Sequence, residues 1–434
     1  MIVSKFGGSI TATSEGVKKA LEIIKSNPQR RYVIASAPGA ASNGAGITDM
    51  LYMFYSSFFS KENYNDVLKK ISSHYKQIID GLGMNFDLDF EISELKKNLL
   101  AGKNLDFIAS RGEYIMGKIL AEFLGWNFID ASEIIFFNHD GTLDEEKTLS
   151  AANEKILNSK NAIIPGFYGS MPDGNIKTFS RGDGDSSGAI VARAVKADLF
   201  EKWSDKNQIF SADSAVIPDA KRIKNLTYTE AVEINYTGIK IIKDSVIFML
   251  KEADIPLKIL SINDFEDEGM LISSKIPENA SRNIAVCISG RKGFNVIHIE
   301  KYGLNKMFGF GEKLFGLFAK YNIPCEHCLS GIHKMSVVIK TPMFDLKRKE
   351  LFNEIKKAIE PDSITSENSL SIIAVIGQDI GPAKGTFAKV FSALAQADVK
   401  VRMIDQGSDD LNIIVGVSDN DYEKAIRALH EAII

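Results

Sequence analysis

At 434 residues the chain is too long for one compact core, and at roughly 150 residues per domain two or three units are expected. Apolar residues make up 45% and charged residues 25%, which excludes extensive disorder. A formal charge of -4 without a long Lys/Arg block, and without an 18-residue apolar run or a signal-like N-terminus, predicts no nucleic acid and no membrane as partner and a cytoplasmic location.

The chain opens with a strand-like run at 2–6, an amphipathic stretch at 14–26 and a second strand at 32–35, the βαβ pattern of a doubly wound sheet. Helical stretches are predicted at about 65–82, 90–101 and 107–124, and short apolar runs at 127–130 and 162–165. Residues 1–275 therefore read as an α/β domain with a mainly parallel sheet. Between 264 and 282 the composition turns acidic and then polar with Gly and Pro punctuation, and the domain boundary is placed there.

Beyond it lies an internal repeat: Gly309, Phe315, Ala319 and Ile323 correspond to Gly385, Phe391, Ala395 and Val399 at a constant offset of 76 residues. Each copy reads strand, helix, strand, strand, helix. The first has strands near 295–300, 325–330 and 335–340 with helices at 311–321 and 347–359; the second has strands near 371–377, 400–406 and 412–417 with helices at 385–397 and 420–432. Each needs a fourth strand, as in ferredoxin-like βαββαβ modules. The first copy finds one at 363–366; the second runs out of chain and is expected to use an orphan strand at 283–289. The first module, about 293–367, would then be inserted in the second, 283–290 plus 369–434. The three cysteines, Cys287, Cys325 and Cys328, are too few for a disulfide scaffold. Cys325-x-x-Cys328, near His327 and His333, is read as two thiols in a strand at 323–329, where residues three apart face opposite sides, and no metal site is assigned.

The strongest chemical signal is Val3-Ser4-Lys5-Phe6-Gly7-Gly8-Ser9, a strand that delivers a lysine into a double-glycine turn and a hydroxyl. Backbone N–H groups at Gly7 and Gly8 can approach phosphate oxygens, and Lys5 supplies a cation for charge developing on a transferring phosphoryl group.

Lys5-Phe6-Gly7-Gly8-Ser9, Ser36 with Ile47-Thr48-Asp49, Ser110-Arg111-Gly112-Glu113, Gly166-Phe167, Thr178-Phe179-Ser180-Arg181-Gly182 with Asp185, Trp203-Ser204-Asp205 and Gly238-Ile239-Lys240 together resemble the successive motifs of aspartokinases. The repeats, including Ile404-Asp405-Gln406-Gly407-Ser408, resemble paired ACT domains, so the resemblance covers nearly the whole chain. It implies an amino-acid kinase fold followed by two ACT modules, and transfer of the ATP γ-phosphoryl, with Mg²⁺, to the side-chain carboxylate of L-aspartate. It also implies that Lys5 contacts the phosphoryl and the attacking carboxylate, Arg181 clamps a substrate carboxylate, and Glu113 and Asp185 receive the substrate α-ammonium. Asp185 has a second reading, as the cap of a helix at 187–197. Ser36 and Thr48 bracket a small-residue loop at the substrate, with Phe167 nearby. Gly7, Gly8, Ser9, Ser204, Asp205, Phe210, Asp213 and Lys240 would hold the nucleotide.

For a lysine or threonine effector the resemblance implies a pocket of Met307, Gly309, Phe310, Cys325, Glu326 and Ser330, formed within a homodimer or dimer of dimers through the ACT modules. The chain departs from the family pattern at Ile10, Gly184, Lys206-Asn207-Gln208, Ser214-Ala215, Lys243 and Pro324, mostly on the nucleotide side. Alternatives to an aspartokinase are a kinase for another amino-acid carboxylate, such as glutamate or acetylglutamate, and an amino-acid sensor of the same fold with weakened catalysis.

Overall fold

The computed structural model describes residues 1–40, 44–180, 183–205, 209–264, 267–278, 283–407 and 410–434. They form two compact units that interleave along the chain. The first comprises Met1–Gln208, Lys224–Tyr228 and Ile242–Pro277; the second comprises Ile209–Ile223, Thr229–Ile241 and Glu278–Ile434.

In the first unit the strands are β1 (Ile2–Phe6), β2 (Arg30–Ala35), β3 (Asn127–Phe128), β4 (Ala162–Pro165), the hairpin β5 (Tyr168–Ser170) and β6 (Ile176–Thr178), then β7 (Leu199–Ser204), β8 (Asn225–Thr227), β9 (Leu257–Ser261) and β10 (Met270–Ser273). Eight of these make one sheet in the order β3-β4-β2-β1-β7-β9-β10-β8, parallel except for the β9–β10 pair. Every residue of β1 and of β4 is buried, which is why these strands read as continuous runs rather than alternations. The helix Ser14–Ser26 starts where the Thr13 hydroxyl accepts the Gly16 N–H, and buries Val17, Ala20, Leu21 and Ile24 at helical spacing. The helix Leu105–Leu124 is capped in the same way by Asn104 and ends at Gly125, whose φ of 64° is the left-handed stop that glycine adopts without strain.

One helix absent from the sequence reading is Ile47–Phe59. It buries Ile47, Met50, Leu51 and Phe54 at i, i+3, i+4 and i+7, into the same core as Ile108, Ile115 and Ile119 of Leu105–Leu124. Among the described residues, no helix is long and apolar enough to cross a membrane.

The second unit is built on a six-stranded antiparallel sheet of β11 (Cys287–Glu300), β12 (His327–Ser330), β13 (Lys334–Lys340), β14 (Ser363–Ile376), β15 (Met403–Asp405) and β16 (Asn412–Ser418), in the order β12-β13-β11-β14-β16-β15. The strands expected at 283–289 and 295–300 are one 14-residue strand, β11, and those expected at 363–366 and 371–377 are one strand, β14. Ile372 and Ile376 of β14 pair with Arg291 and Cys287, while Ser363 and Ser366 pair with Glu300 and Ile297, so the two repeats share a single sheet. The register slips between Arg291 and Phe294, beside Gly293 at φ 89°.

Each repeat has its own core. Ile297, Val337, Leu314, Phe318, Leu351 and Ile355 fill the first. In the second, Ile373, Val375, Val415, Leu429 and Ile433 pack with Ala212, Val216, Ile217 and Ala220, so 209–223 is held by the repeat that follows it some 150 residues later. Hydrogen bonds pin this segment: Ile288 N–H donates to Ser211 O at 2.7 Å, and Ser211 Oγ lies 3.0 Å from His430 Nε2.

Candidate active site

In the first unit β1, β2, β4, β7 and β9 point the same way, so their C-terminal ends share one edge, where doubly wound sheets place ligands. Pairing β1 to β7 in register sets Ser4 against Glu201, Lys5 against Lys202 and Phe6 against Trp203. Because side chains alternate, two sets separate. Ser4 Oγ donates to Glu201 Oε2 at 2.9 Å and the Phe6 and Trp203 rings stack at 6.0 Å, on one face. Lys5 and Lys202 stand on the other, toward the helix Gly184–Ala194.

There both lysines meet Asp185: Lys5 Nζ is 2.8 Å from Oδ1 and Lys202 Nζ is 3.0 Å from Oδ2, with side-chain exposures of only 9%, 17% and 13% for Lys5, Lys202 and Asp185. Burial by itself would raise the Asp185 pKa, but the Lys5 and then the Lys202 ammonium outweigh it and hold the carboxyl down at about 2. Gly184 lies close against this pair, since a Cβ there would sit 3.2 Å from Lys5 Cε and 3.5 Å from Ser36 Oγ.

The reading of Asp185 as a cap at 187 is corrected. The helix begins at Gly184 and its cap is Asp183, whose Oδ1 accepts the Ser186 N–H at 3.2 Å and hydroxyl at 2.7 Å. Asp185 lies in the first turn and is left to the lysines. Asp183 Oδ2 also pairs with Lys243 Nζ at 2.7 Å, and Lys243 donates to Ser180 Oγ. Lys243 thus ties together the residues on either side of Arg181 and Gly182, which lie outside the described residues.

The double-glycine turn is fitted to the segment after β2. Gly39 N–H donates to Gly8 O at 2.7 Å, and a Cβ on Gly39 would lie 2.7 Å from that oxygen, so only glycine allows this approach. Ser9 Oγ donates to Asp205 Oδ1 at 2.8 Å and Gly7 N–H to Trp203 O at 3.1 Å, joining the opening motif to the Trp203-Ser204-Asp205 motif. Ser36 is buried at the end of β2, and Thr48 is half-buried in the first turn of Ile47–Phe59.

Glu113 is buried in the helix Leu105–Leu124, and its Oε2 has no hydrogen-bond partner. Burial pushes its pKa up to about 8, against the opposing pull of the Ala37 backbone hydrogen bond and the Lys5 and Arg111 charges. A buried carboxyl with an open oxygen beside a lysine-lined edge is suited to receive a cationic group from a ligand. Phe167 holds a left-handed backbone, φ 80°, that a bulky residue adopts only under constraint. Its N–H donates to Ser187 Oγ at 2.9 Å and its carbonyl accepts the Phe179 N–H at 2.8 Å.

The first unit therefore contains Lys5, Gly7, Gly8, Ser9, Ser36, Thr48, Glu113, Phe167, Asp185, Ser204 and Asp205, whereas Phe210, Asp213 and Lys240 belong to the second. Lys240 is exposed there, and Asp213 Oδ1 accepts the Ala215 N–H at 2.9 Å. Lys202 is the residue sequence reasoning missed: alternation along β7 gives its face, but only the register of β7 on β1 gives its neighbour.

In the first repeat, Gly309 is the left-handed start of the helix Phe310–Lys320, Met307 is half-buried, and Ser330 is exposed at the end of β12. The side chain of Phe310 is part of the module's core. Glu326 is already engaged by Lys340 Nζ at 2.9 Å and Tyr236 Oη at 2.8 Å. Burial would raise its pKa, but these two partners hold it below the usual glutamate value. Cys325 and Cys328 are free thiols on either side of the bend at Glu326, and Cys325 precedes β12, which begins at His327 rather than at 325.

Residues 1–261 match the model of the amino acid kinase family, and residues 373–433 that of the ACT domain. Aspartokinase 3 of Bacillus subtilis (strain 168) is 28% identical over 447 aligned residues, which cover 99% of this chain and 98% of that protein. Lysine-sensitive aspartokinase 3 of Escherichia coli (strain K12) is 25% identical, with coverage of 99% and 98%. The crystal structure of Clostridium acetobutylicum aspartate kinase is 39% identical, covers 100% of both chains and superposes with a TM-score of 0.93.

Proposed function

The chain belongs to the amino acid kinase family, and from that premise we propose that it is an aspartate kinase, which transfers the γ-phosphoryl of ATP to the side-chain carboxylate of L-aspartate. The observation that carries this reading is the full-length likeness to the Clostridium acetobutylicum aspartate kinase, 39% identical at a TM-score of 0.93. The Lys5–Asp185 pair at the sheet edge supports it.

A β-carboxylate oxygen of aspartate attacks the γ-phosphorus in line as the bond to the ADP oxygen breaks, giving 4-phospho-L-aspartate without a phosphoenzyme. Lys5 neutralises charge on the transferring group, Arg181 binds a substrate carboxylate, and Glu113 receives the α-ammonium. Gly7, Gly8, Ser9, Ser204 and Asp205 hold the nucleotide in this reading. Asp185 already carries two ammonium groups and Asp205 a hydroxyl, and the described residues contain no group of three or more His, Cys, Asp or Glu that could hold a metal. These residues fit a Mg²⁺ that arrives on the nucleotide phosphates with its waters, where it offsets phosphate charge.

The test is aspartate-dependent ADP release in a coupled assay, with hydroxylamine to trap the acyl phosphate. Glutamate and acetylglutamate are expected to be inactive. Tight aspartate binding by calorimetry without ADP release would instead identify a sensor. In the same assay Arg181→Ala is expected to raise the aspartate KM roughly ten- to 150-fold, since a lost bidentate charged contact costs about 1.5 to 3 kcal/mol, and to leave the ATP KM nearly unchanged. Equal changes in both would place Arg181 elsewhere.

The paired ACT modules are read as an effector-binding and self-associating region, giving a homodimer or a dimer of dimers. Wholly exposed Phe308, with Tyr302 and Leu346 at 84%, supports a covered face on the first repeat. Lysine is the leading effector, because the E. coli relative is lysine-sensitive. A lysine ammonium reaching Glu326 has to displace Lys340, so Glu326→Ala is expected to remove lysine inhibition. An unchanged inhibition curve in that variant would take Glu326 out of the effector site.

A further inference from the structure

We propose that Cys325 and Cys328 form a reversible dithiol–disulfide site, which closes by exchange with a low-molecular-weight disulfide. Both belong to the first repeat in the second unit, and the phosphoryl-transfer reading uses neither.

The spacing alone does not bring the thiols together, because residues three apart in a strand face opposite sides. Here Cys325 stands outside β12, the chain bends at Glu326, and Cys328 is the second residue of the strand. The bend sets the Cys325 thiol against the Cys328 sulfur. Their surroundings differ: Cys325 packs against the core of the first repeat, whereas Cys328 is exposed on the strand that ends the sheet order. The first thiol therefore has a packing use. The second has none, although free cysteine is among the most buried residue types. Their contact also divides the chemistry. It holds the Cys328 thiol below its ordinary value, against burial and the Asp405 charge, and together with burial it pushes Cys325 up. An accessible thiol that ionises first, beside a half-buried partner that ionises last, is suited to attack and resolution in thiol–disulfide exchange.

The two residues between the thiols argue against a metal site. His327 Nδ1 lies 2.7 Å from Asp405 Oδ2 and the Glu326 carboxylate is held by Lys340 and Tyr236, and no group of three or more metal-binding side chains occurs among the described residues. In the exchange the Cys328 thiolate attacks one sulfur of the external disulfide RSSR, forming a mixed disulfide and expelling RS⁻. The Cys325 thiolate then attacks the Cys328 sulfur, closes the Cys325–Cys328 bond and expels the second RS⁻. The protein loses two electrons, RSSR gains them, and the two thiol protons end on the two RS⁻. Because the thiols already meet, the ring closes on the bend as it stands, with the Glu326 N–H on Val338 O at 2.9 Å and its carboxylate on Lys340 and Tyr236. Closure thus fixes Glu326 on its present partners.

The test equilibrates the full-length protein in mixtures of reduced and oxidised glutathione, quenches in acid, alkylates the remaining thiols and maps them by peptide mass spectrometry. As the oxidised fraction rises, Cys325 and Cys328 are expected to pass together from alkylated to internally bonded, and to reopen with dithiothreitol. Cys287 is the internal control: it is fully buried in β11, burial pushes its thiol up to about 12, and it should stay reduced throughout. Cys325→Ser is expected to stop at a glutathione mixed disulfide on Cys328, and Cys328→Ser to take up no glutathione. If Glu326 receives the effector, as proposed above, a lysine ammonium has to displace Lys340 from a stiffened bend. Oxidation should then raise the midpoint of lysine inhibition about fivefold or more in the wild type and leave Cys328→Ser unmoved.

Two alkylated thiols in every mixture overturn the proposal. So does a Cys328 bond between subunits on a non-reducing gel, or glutathione uptake in Cys328→Ser equal to that in Cys325→Ser. Should Cys325→Ser fail to fold, the wild-type titration and the exposed Cys328→Ser decide alone. The effector reading fails separately. Equal lysine curves for Glu326→Ala and wild type remove Glu326 from the effector site and leave the disulfide standing on the mass measurement, whereas a Glu326-dependent curve that ignores oxidation overturns the link between the ring and the effector.

Discussion

Lys5→Ala is expected to abolish aspartate-dependent ADP release, with kcat falling on the order of a thousandfold, while the protein still folds. The ammonium group sits at the sheet edge 2.8 Å from Asp185, beyond Val3, which is buried on the same face of β1. Removing the side chain deletes a largely buried aliphatic stem and, with it, the cation that opposes charge on the transferring phosphoryl, and one such preorganised contact is commonly worth 10²–10³ in kcat. Stability changes in a definite direction. The Asp185 pKa is depressed to about 2 from 3.8, so its contribution to stability is present above 3.8 and is lost as pH falls through about 2. The whole shift corresponds to roughly 2 kcal/mol, of which Lys5 supplies only part because Lys202 remains. At pH 7 the variant should therefore melt a few degrees lower, and the difference should narrow toward pH 2. Turnover near the wild-type value in Lys5→Ala would remove the opening motif from the chemistry.

Aspartate binding is expected to be coupled to proton release through Glu113. Its pKa of about 8 in the free protein means that at pH 7 most molecules carry a proton on this carboxyl. A substrate ammonium placed against the open Oε2 favours the ionised form, so the site must lose that proton to bind. Below pH 8 the aspartate KM should then rise by up to tenfold per pH unit, and calorimetry at pH 7 in buffers of different ionisation enthalpy should record release approaching one proton per aspartate bound. Glu113→Gln should flatten this dependence and weaken aspartate binding.

The same group predicts an opposite trend in stability. A folded-state pKa raised from 4.5 to about 8 gives a contribution that is full below 4.5 and lost as pH rises through about 8, because burial disfavours the ionised form. Relative to wild type, Glu113→Gln should gain stability between pH 6 and pH 9. A pH-independent KM together with no proton release would mean that Glu113 does not receive the ammonium.

The legible part of the site was local in the chain. Lys5 stands directly before Gly7 and Gly8, so one pentapeptide carries both the cation and the close backbone approach, and the strand preceding it is apolar enough to announce burial. Glu113 was legible as an early acid of an amphipathic helix, but its raised pKa depends on the depth of that helix beneath Ala37, which no local pattern contains. Asp183 and Asp185 show the limit sharply. Both precede the same helix by composition, and only hydrogen-bond geometry assigns the cap to Asp183 and leaves Asp185 to two lysines.

By itself the sequence determined the alternation of strands and helices, the duplicated C-terminal unit and the order of the motifs, because these rest on periodicity and spacing within a few tens of residues. Tertiary structure alone decided which residues meet. The pairing of Lys5 with Lys202 needs the register of strands 197 residues apart, and alternation gives a residue its face but never its neighbour. The apolar positions Ala212, Val216, Ile217 and Ala220 announce that 209–223 will be covered, yet hydrophobic burial is non-directional and does not say by what. The fold resolves it by packing them against Leu429 and Ile433 of the second repeat, so that a segment read with the kinase domain belongs physically to the regulatory unit.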